Sequence, residues 1–300
     1  MSINAHPELL EFEYVRPASL PEASNFLAQH AGEAFPLLGG TDLFVRMRDG
    51  FMAPAYLVDV KHLEGMRRLH FDPQQGLTIG AAVNMNQAAA SEAVRAHYPL
   101  LAEACRTVAS YQLRSRATIA GNICNASPAG DTIGACLALD GELSVHGVDG
   151  FRRESLQGFF AGPGRTVLNP GDVVTAIHFP PPPQGAVGKY LKLGRNRLGD
   201  LAIVGVTVLG YPDLDTPSGF RFRLALASVA PVPLIPLEAE RLLLERRPGP
   251  DTFQAAAALA AQACTPIDDV RGGAAYRKAM VRNLTWKALT LVWDRLKAAG

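Results

Sequence analysis

The sequence predicts an α+β protein of about two domains, and three observations carry that expectation. The chain opens with a strand–helix–strand pattern, the signature of a small parallel α/β unit. Past a four-proline run at Pro180–Pro183, three strand-like runs are followed by three helical ones, the order of an α+β domain. The length, 300 residues, suits two domains of roughly 100–200 residues each.

Each element has its own local reason. Ser19 and Glu22 have the S-x-x-E spacing of a capping box, with Pro21 tolerated in the first helical turn. Leu20, Ala23, Phe26 and Leu27 then recur at helical spacing, and Ala31 and Gly32 offer a stop. Phe35–Leu38 reads as a strand that breaks into Gly39, Gly40, Thr41 and Asp42, and Ala55–Val60 reads as the next strand. Leu77–Ala82 is strand-like, residues 86–110 hold alanine-rich helical segments, and Glu142–Gly147 and Val173–Phe179 are strands again. Before them, Ser127 or Asp131 offers an N-cap for a helix over 131–139, with Ile133, Cys136, Leu137 and Leu139 as its apolar side and Gly141 as its end. The proline run favours polyproline II and marks a domain boundary. Tyr190–Leu193, Ala202–Leu209 and Phe220–Val229 follow as strands; in the last, Phe220, Phe222, Leu224 and Leu226 fall on one face. Helices are expected near 236–247, 251–264 and 273–298.

Composition narrows the partners. A net charge of +1 gives no reason to expect nucleic acid or an anionic membrane. No apolar run reaches the roughly 20 residues of a membrane span. Residues Met1–Pro17 are acidic and lack a basic, apolar, small-residue signal pattern, so a cytoplasmic location is expected. The four cysteines, Cys105, Cys124, Cys136 and Cys264, include no C-x-x-C pair and read as reduced, buried side chains, so no metal is expected. The seven histidines are scattered. There is no P-loop, no H-E-x-x-H and no G-x-S-x-G, and Gly162 and Gly164 begin a dinucleotide fingerprint that has no third glycine. No catalytic set emerges.

Two glycine-containing turns remain. In the first, Leu37, Leu38, Gly39, Gly40, Thr41, Asp42 and Leu43 follow a strand; adjacent glycines permit positive φ and let backbone N–H groups converge on an anion, with the Thr41 hydroxyl as a further donor. In the second, Thr118, Ile119, Ala120, Gly121 and Asn122 give a close approach of small residues, and Asp131 supplies one carboxylate for ribose or ribityl hydroxyls. Alone, the first reads as a plain strand-ending turn before it reads as an anion site, and the second has a buried loop–helix corner as its alternative. Together, about eighty residues apart, they suit one elongated dinucleotide held between two subdomains. A third stretch, Lys189–Asp200, carries four cations; it is either a solvated hairpin face or a source of positive charge beside an electron-accepting ring.

Leu38–Leu43, Thr118–Ile123 with Ala126, Ser127, Pro128 and Asp131, and Lys192 through Gly199–Val204 occur in an order and spacing that resemble the FAD-binding medium subunit of the molybdenum hydroxylases, the xanthine dehydrogenase and carbon monoxide dehydrogenase family. The resemblance covers essentially the whole chain. It implies a FAD-binding PCMH-type domain over 1–180, made of two α/β subdomains (about 1–62 and 63–180). A C-terminal flavoprotein domain over 185–300 follows, a three-stranded antiparallel sheet with a three-helix bundle. It also implies that Leu37–Leu43 bind the pyrophosphate of FAD, that Thr118, Ile119, Ala120, Gly121 and Asn122 form the second cofactor loop, and that Asp131 meets FAD hydroxyls. Val108, Val174 and Lys192 match further positions lining FAD. Two departures stand out: Val108 replaces an aromatic residue of some relatives, and Ala120 replaces a frequent glycine, which requires negative φ there.

By the same resemblance the chain is an electron-transfer subunit of a cytoplasmic oxidoreductase. Its partners would be a large molybdopterin-binding subunit and a small subunit with two [2Fe–2S] clusters, arranged as a dimer of heterotrimers, a heterohexamer. Electrons would leave through FAD to NAD⁺ or another carrier. The cysteine-rich insertion of the benzoyl-CoA-type branch is absent between Asn122 and Asp131. Two alternatives stay open: a self-contained FAD-dependent oxidoreductase on the scaffold of UDP-N-acetylenolpyruvylglucosamine reductase, and a flavin-free assembly scaffold.

Overall fold

A computed structural model describes residues 9–196 and 199–299. The start of the acidic N-terminal run and, in the cation-rich stretch, Arg197 and Leu198 lie outside the described residues.

The first unit is the small parallel α/β arrangement. β1 (Glu13–Val15), α1 (Leu20–Gln29), β2 (Ala34–Leu37), α2 (Leu43–Arg48) and β3 (Tyr56–Asp59) give a three-stranded sheet of order β1–β3–β2, all parallel. Only half of the capping box forms on α1. Ser19 Oγ accepts from the Glu22 N–H at 3.3 Å, but Glu22 turns its carboxylate to the Ala18 N–H at 2.7 Å, one residue short of the reciprocal bond. The helix buries Ala23, Ser24 and Leu27.

β4 (Leu69–Asp72) and β5 (Gly76–Gly80) open a second sheet. Six short helices follow: α3 (Met85–Ala90), α4 (Glu92–His97), α5 (Pro99–Thr107), α6 (Tyr111–Arg114), α7 (Ile119–Asn125) and α8 (Ile133–Ala138). The chain then returns through β6 (Glu142–Gly147), β7 (Gly150–Ser155), the small hairpin of β8 (Phe160–Gly162) and β9 (Arg165–Thr166), and β10 (Val173–Phe179). β10 inserts at the centre, giving an antiparallel sheet of order β4–β5–β10–β6–β7. Gly162 and Gly164 belong to the β8–β9 hairpin and to no nucleotide fingerprint.

The helix expected over 131–139 is shorter than expected, for a chemical reason. It starts at Ile133 after Thr132, which makes no side-chain cap. The two candidate caps are used elsewhere: Ser127 Oγ accepts from the Ala129 N–H, and both oxygens of Asp131 are taken by residues of the next part of the chain. The helix ends at Ala138, and the left-handed residue after it is Asp140 (φ 54°), not Gly141.

β11 (Val187–Leu193), β12 (Val204–Pro212) and β13 (Phe220–Ala227) form an antiparallel sheet in chain order. α9 (Leu237–Glu245), α10 (Pro250–Ala263) and α11 (Ala274–Ala299) cover one face, where Val206, Val208, Phe222, Leu224 and Leu226 join Phe253, Ala256, Val281 and Leu289 in one buried core. Strand alternation sends the opposite set the other way. Tyr190, Leu209, Tyr211 and Ala225 enter the core built by the earlier sheets and helices. The C-terminal sheet therefore contributes buried residues from both faces, one set to its own helices and the other to the core of the earlier part. Among the described residues no helix is long and apolar enough to cross a membrane.

Candidate functional site

A cleft of about 660 Å³ runs between the parallel unit, the α6–α8 region and the start of the C-terminal part. That volume lies within the range of sites for sizeable organic ligands. Both glycine turns line it. Leu38, Gly39, Gly40, Thr41, Asp42 and Leu43 come from one side, and Thr118, Gly121, Asn122 and Asp131 from the other. Val108, at the end of α5, and Val174, at the bulge in β10, add apolar wall.

The first turn begins where β2 runs out at Leu37, whose side chain is buried in the core rather than in the cleft. Gly40 has φ +74°, which an L side chain rarely adopts. A Cβ there would also lie 2.9 Å from the Phe44 ring. Gly39 is needed for a different reason: its Cβ would sit 2.5 Å from the Arg116 carbonyl oxygen and 3.0 Å from Ala117 Cα. The two turns touch at this point, so Gly39 sets the width of the cleft. Among the described residues, the side chains of Thr41 and Asp42 make no hydrogen bond, which leaves them free for a ligand. Burial in the cleft raises the Asp42 carboxyl above its usual range, with Arg46 opposing.

The second turn is a helix start rather than a loop. Thr118 caps α7, its Oγ1 accepting from the Gly121 N–H at 2.9 Å. Ile119 and Ala120 are the first two helical residues and turn into the core, each 1% exposed, and unlike Thr118, Gly121 and Asn122 neither lines the cleft. Ala120 has no positive φ, and its methyl is accommodated without strain. Asn122 Oδ1 accepts from the Thr132 hydroxyl at 2.7 Å, which orients the amide. Cys124 also lines the cleft, while Cys136 is wholly buried behind it. Cys124 is partly buried in the cleft wall; burial pushes its thiol up to about 12 and the Cys136 thiol well up, which favours the protonated form of both.

Asp131 is 6% exposed and is held by two side chains from β11. Tyr190 donates its hydroxyl to Oδ1 and Lys192 its ammonium to Oδ2, both at 2.7 Å. Lys192 also donates to the Thr107 carbonyl at 3.1 Å. Burial raises the Asp131 carboxyl, while Lys192 and then Tyr190 pull it back down. Lys192 is thus neutralised by Asp131. The other two described cations of its stretch are paired as well: Lys189 with Glu103, and Arg195 with Asp200 at 3.2 Å. Among the described residues of the stretch, Lys189 and Lys192 are largely buried, Arg195 is exposed, and each positive charge is balanced by a carboxylate.

Sequence reading missed three contributors. Leu201, 57% exposed, lines the cleft with Gly199 and Asp200. Arg277, 2% exposed, donates to the carbonyls of Ile203 and Ser228 at 2.9 Å and so fastens the base of that segment. Tyr190 was legible only as a strand residue two places from Lys192, a spacing that puts both on one side of β11. The assembled site can seat an elongated ligand with an anionic middle and hydroxyl-bearing arms. It presents no nucleophile–base pair.

The chain matches two protein families in sequence: the FAD binding domain in molybdopterin dehydrogenase over residues 10–182, and the CO dehydrogenase flavoprotein C-terminal domain over 189–292. It is 34% identical over 286 residues to the carbon monoxide dehydrogenase medium chain of Hydrogenophaga pseudoflava, covering 95% of this chain and 98% of that one. It is 28% identical over 288 residues to the xanthine dehydrogenase FAD-binding subunit of Escherichia coli O157:H7, covering 96% and 97%. A solved structure of carbon monoxide dehydrogenase from Hydrogenophaga pseudoflava superposes with a TM-score of 0.91 at 33% identity, covering 96% of this chain and 99% of that one.

Proposed function

This chain belongs to the family of FAD-binding medium subunits of molybdenum hydroxylases, and on that premise we propose how its residues serve as an electron relay. FAD, when bound, supplies a ring that takes up two electrons and releases them singly or as a pair. The observation that carries the reading is the meeting of two turns, about eighty residues apart in sequence, on one cleft through the contact of Gly39 with Arg116. The cleft fits the cofactor chemically. Gly40 leaves room for close backbone approach to a pyrophosphate, Thr41 has a free hydroxyl, and Asp131 is an oriented acceptor for sugar or ribityl hydroxyls. In this assignment Leu37–Leu43 hold the pyrophosphate, Thr118–Asn122 form the second loop through backbone and Asn122, and Asp131 takes hydroxyls. Val108 and Val174 exclude water, and Lys192 steadies Asp131.

The division of labour follows the chain. Residues 1–180, in subdomains of about 1–62 and 63–180, form two walls of the cleft, and residues 185–300 close the third. The partners are a larger molybdopterin-binding chain and a smaller chain with [2Fe–2S] clusters, two of each with two copies of this one. Electrons arrive from the clusters and leave to NAD⁺ or to a one-electron carrier. The cytoplasm suits the four cysteines, all free thiols.

The test is direct. The purified full-length chain should release FAD in about equimolar amount, and its flavin should be reduced by the substrate of the complex only when the partner chains are present. A colourless chain would remove the cofactor assignment. Turnover by the chain alone would replace the relay with a self-contained oxidoreductase.

A further inference from the structure

Asp131 is an unusual acceptor to place in a cleft, because burial works against the charge that makes it a good one. Lys192 supplies a compensating charge at the end of a long, rotatable stem. Tyr190 supplies something different: a rigid ring whose position the fold fixes on three sides. It is 3% exposed and sits in the core shared by the two parts of the chain. Its backbone N–H donates to the Glu103 carboxylate at 3.2 Å. On the adjacent strand β12 stands Gly205, where a Cβ would lie 2.8 Å from the Tyr190 hydroxyl oxygen. The space for that hydroxyl exists because residue 205 has no side chain.

We propose that Tyr190 is a positioning residue for FAD, whose phenol orients the Asp131 carboxylate and keeps it in its acceptor form. The inference rests on the reading that Asp131 meets cofactor hydroxyls. A carboxylate offers about four acceptor sites. Tyr190 and Lys192 occupy one on each oxygen, leaving one on each for hydroxyls of the ligand. A protonated Asp131 would lose acceptor capacity. The charged and titratable groups acting on it are Lys192 and Tyr190, both on β11; α7 and α8 beside it carry Cys124 and Cys136, whose thiols burial keeps protonated. A hydrogen bond to the ionised form favours that form, so the phenol holds Asp131 ionised to lower pH than Lys192 alone would.

The experiment is a FAD titration of the full-length apo chain, followed by flavin fluorescence, for wild type, Tyr190→Phe, Asp131→Asn and the double variant. Tyr190→Phe should bind FAD about tenfold or more weakly, the fold-change of one lost hydrogen bond to a charged group. As the pH is lowered, its affinity should begin to fall at a higher pH than that of the wild type, because the freed carboxylate takes up a proton more readily. In the Asp131→Asn background the same change should have no further effect. Gly205→Ala keeps the phenol but crowds it, and should weaken FAD binding in the same direction. Wild-type affinity and a wild-type pH profile in Tyr190→Phe would overturn the inference, as would an equal loss in the Asp131→Asn background, which marks a purely structural role. Should Tyr190→Phe not fold, unchanged FAD affinity in Gly205→Ala overturns it instead. Unchanged affinity in Asp131→Asn removes its premise, whereas a wild type that takes up no FAD would strike the family-level reading beneath it.

Discussion

The turn over Leu37–Leu43 and the corner over Thr118–Asp131 face each other across one cleft and carry the same residue types, yet they are held in opposite ways. In the corner nearly every polar side chain is committed: Thr118 to the Gly121 N–H, Asn122 to Thr132, Asp131 to Tyr190 and Lys192. In the turn, Thr41 and Asp42 have no such partner among the described residues, and the backbone bends through a positive φ at Gly40. One side is preorganised and the other is left open. This suits a ligand with hydroxyls, which need direction, and an anionic centre, which needs unengaged donors. Gly39 lets the turn approach the backbone of Arg116 and Ala117, which lead into the corner, more closely than a side chain would allow.

The largest effect is expected from breaking the open side. Gly40→Val places a β-branched residue at φ +74°, costing about 1–2 kcal/mol for the left-handed backbone alone. Its Cβ would also meet the Phe44 ring at 2.9 Å. The turn must reopen, and flavin should be lost from the purified protein while its thermal unfolding remains cooperative. Unchanged flavin content would show that the open turn is no phosphate site.

The two aspartates sharpen the comparison, because they should respond with opposite sign. Asp131→Asn removes an engaged acceptor and weakens FAD binding. Asp42→Asn removes an unengaged negative charge from a cleft that takes a pyrophosphate, and should strengthen binding several-fold, about 1 kcal/mol or less. Burial holds the Asp42 carboxyl above its usual range in the folded chain. Wild-type affinity should therefore rise as the pH is lowered through that raised value, where Asp42 becomes neutral, and the rise should vanish in the Asp42→Asn variant. For the apo chain the sign is the same. Stability from this group is fully present below the ordinary carboxylate value and is lost as pH rises through the raised one. Titrations in which Asp42→Asn weakens binding would place its carboxylate on a donor of the ligand instead.

How much of this the sequence disclosed depends on the kind of signal. Val173–Phe179 and Glu142–Gly147 were legible to the residue, the first as a largely apolar run and the second as an alternation that puts Leu143 and Val145 on the buried face. β7 was not: its Phe151, Arg152, Arg153 and Glu154 carry too much charge to read as a strand, and they take their conformation from pairing with β6. The two turns were visible as glycine patterns, but their contact through Gly39 was not, since it depends on residues far away in sequence. The cations around Lys192 had no legible meaning until Glu103, Asp131 and Asp200 were placed beside them. The helix cap expected from Asp131 failed for the same reason: its carboxylate is bound by two residues about sixty positions on.

The smallest effect should come from Ala120, and it tests the preorganised side most cleanly. The resemblance read from the sequence implies a frequent glycine here, which makes Ala120→Gly look like the repair of a cofactor loop. The structure argues otherwise. Ala120 is the second residue of α7, has no positive φ, and turns a fully buried methyl into the core. Glycine would gain nothing in the cleft, whose lining includes Thr118 and Gly121 but not this residue. It would forfeit about 1 kcal/mol of helix propensity and a further fraction for the buried methyl. The expected outcome is a thermal midpoint lower by a few degrees, with FAD affinity within about twofold of wild type. A clear gain in affinity would mean that the corner is held more loosely than its hydrogen bonds imply, and would erase the contrast between the two turns.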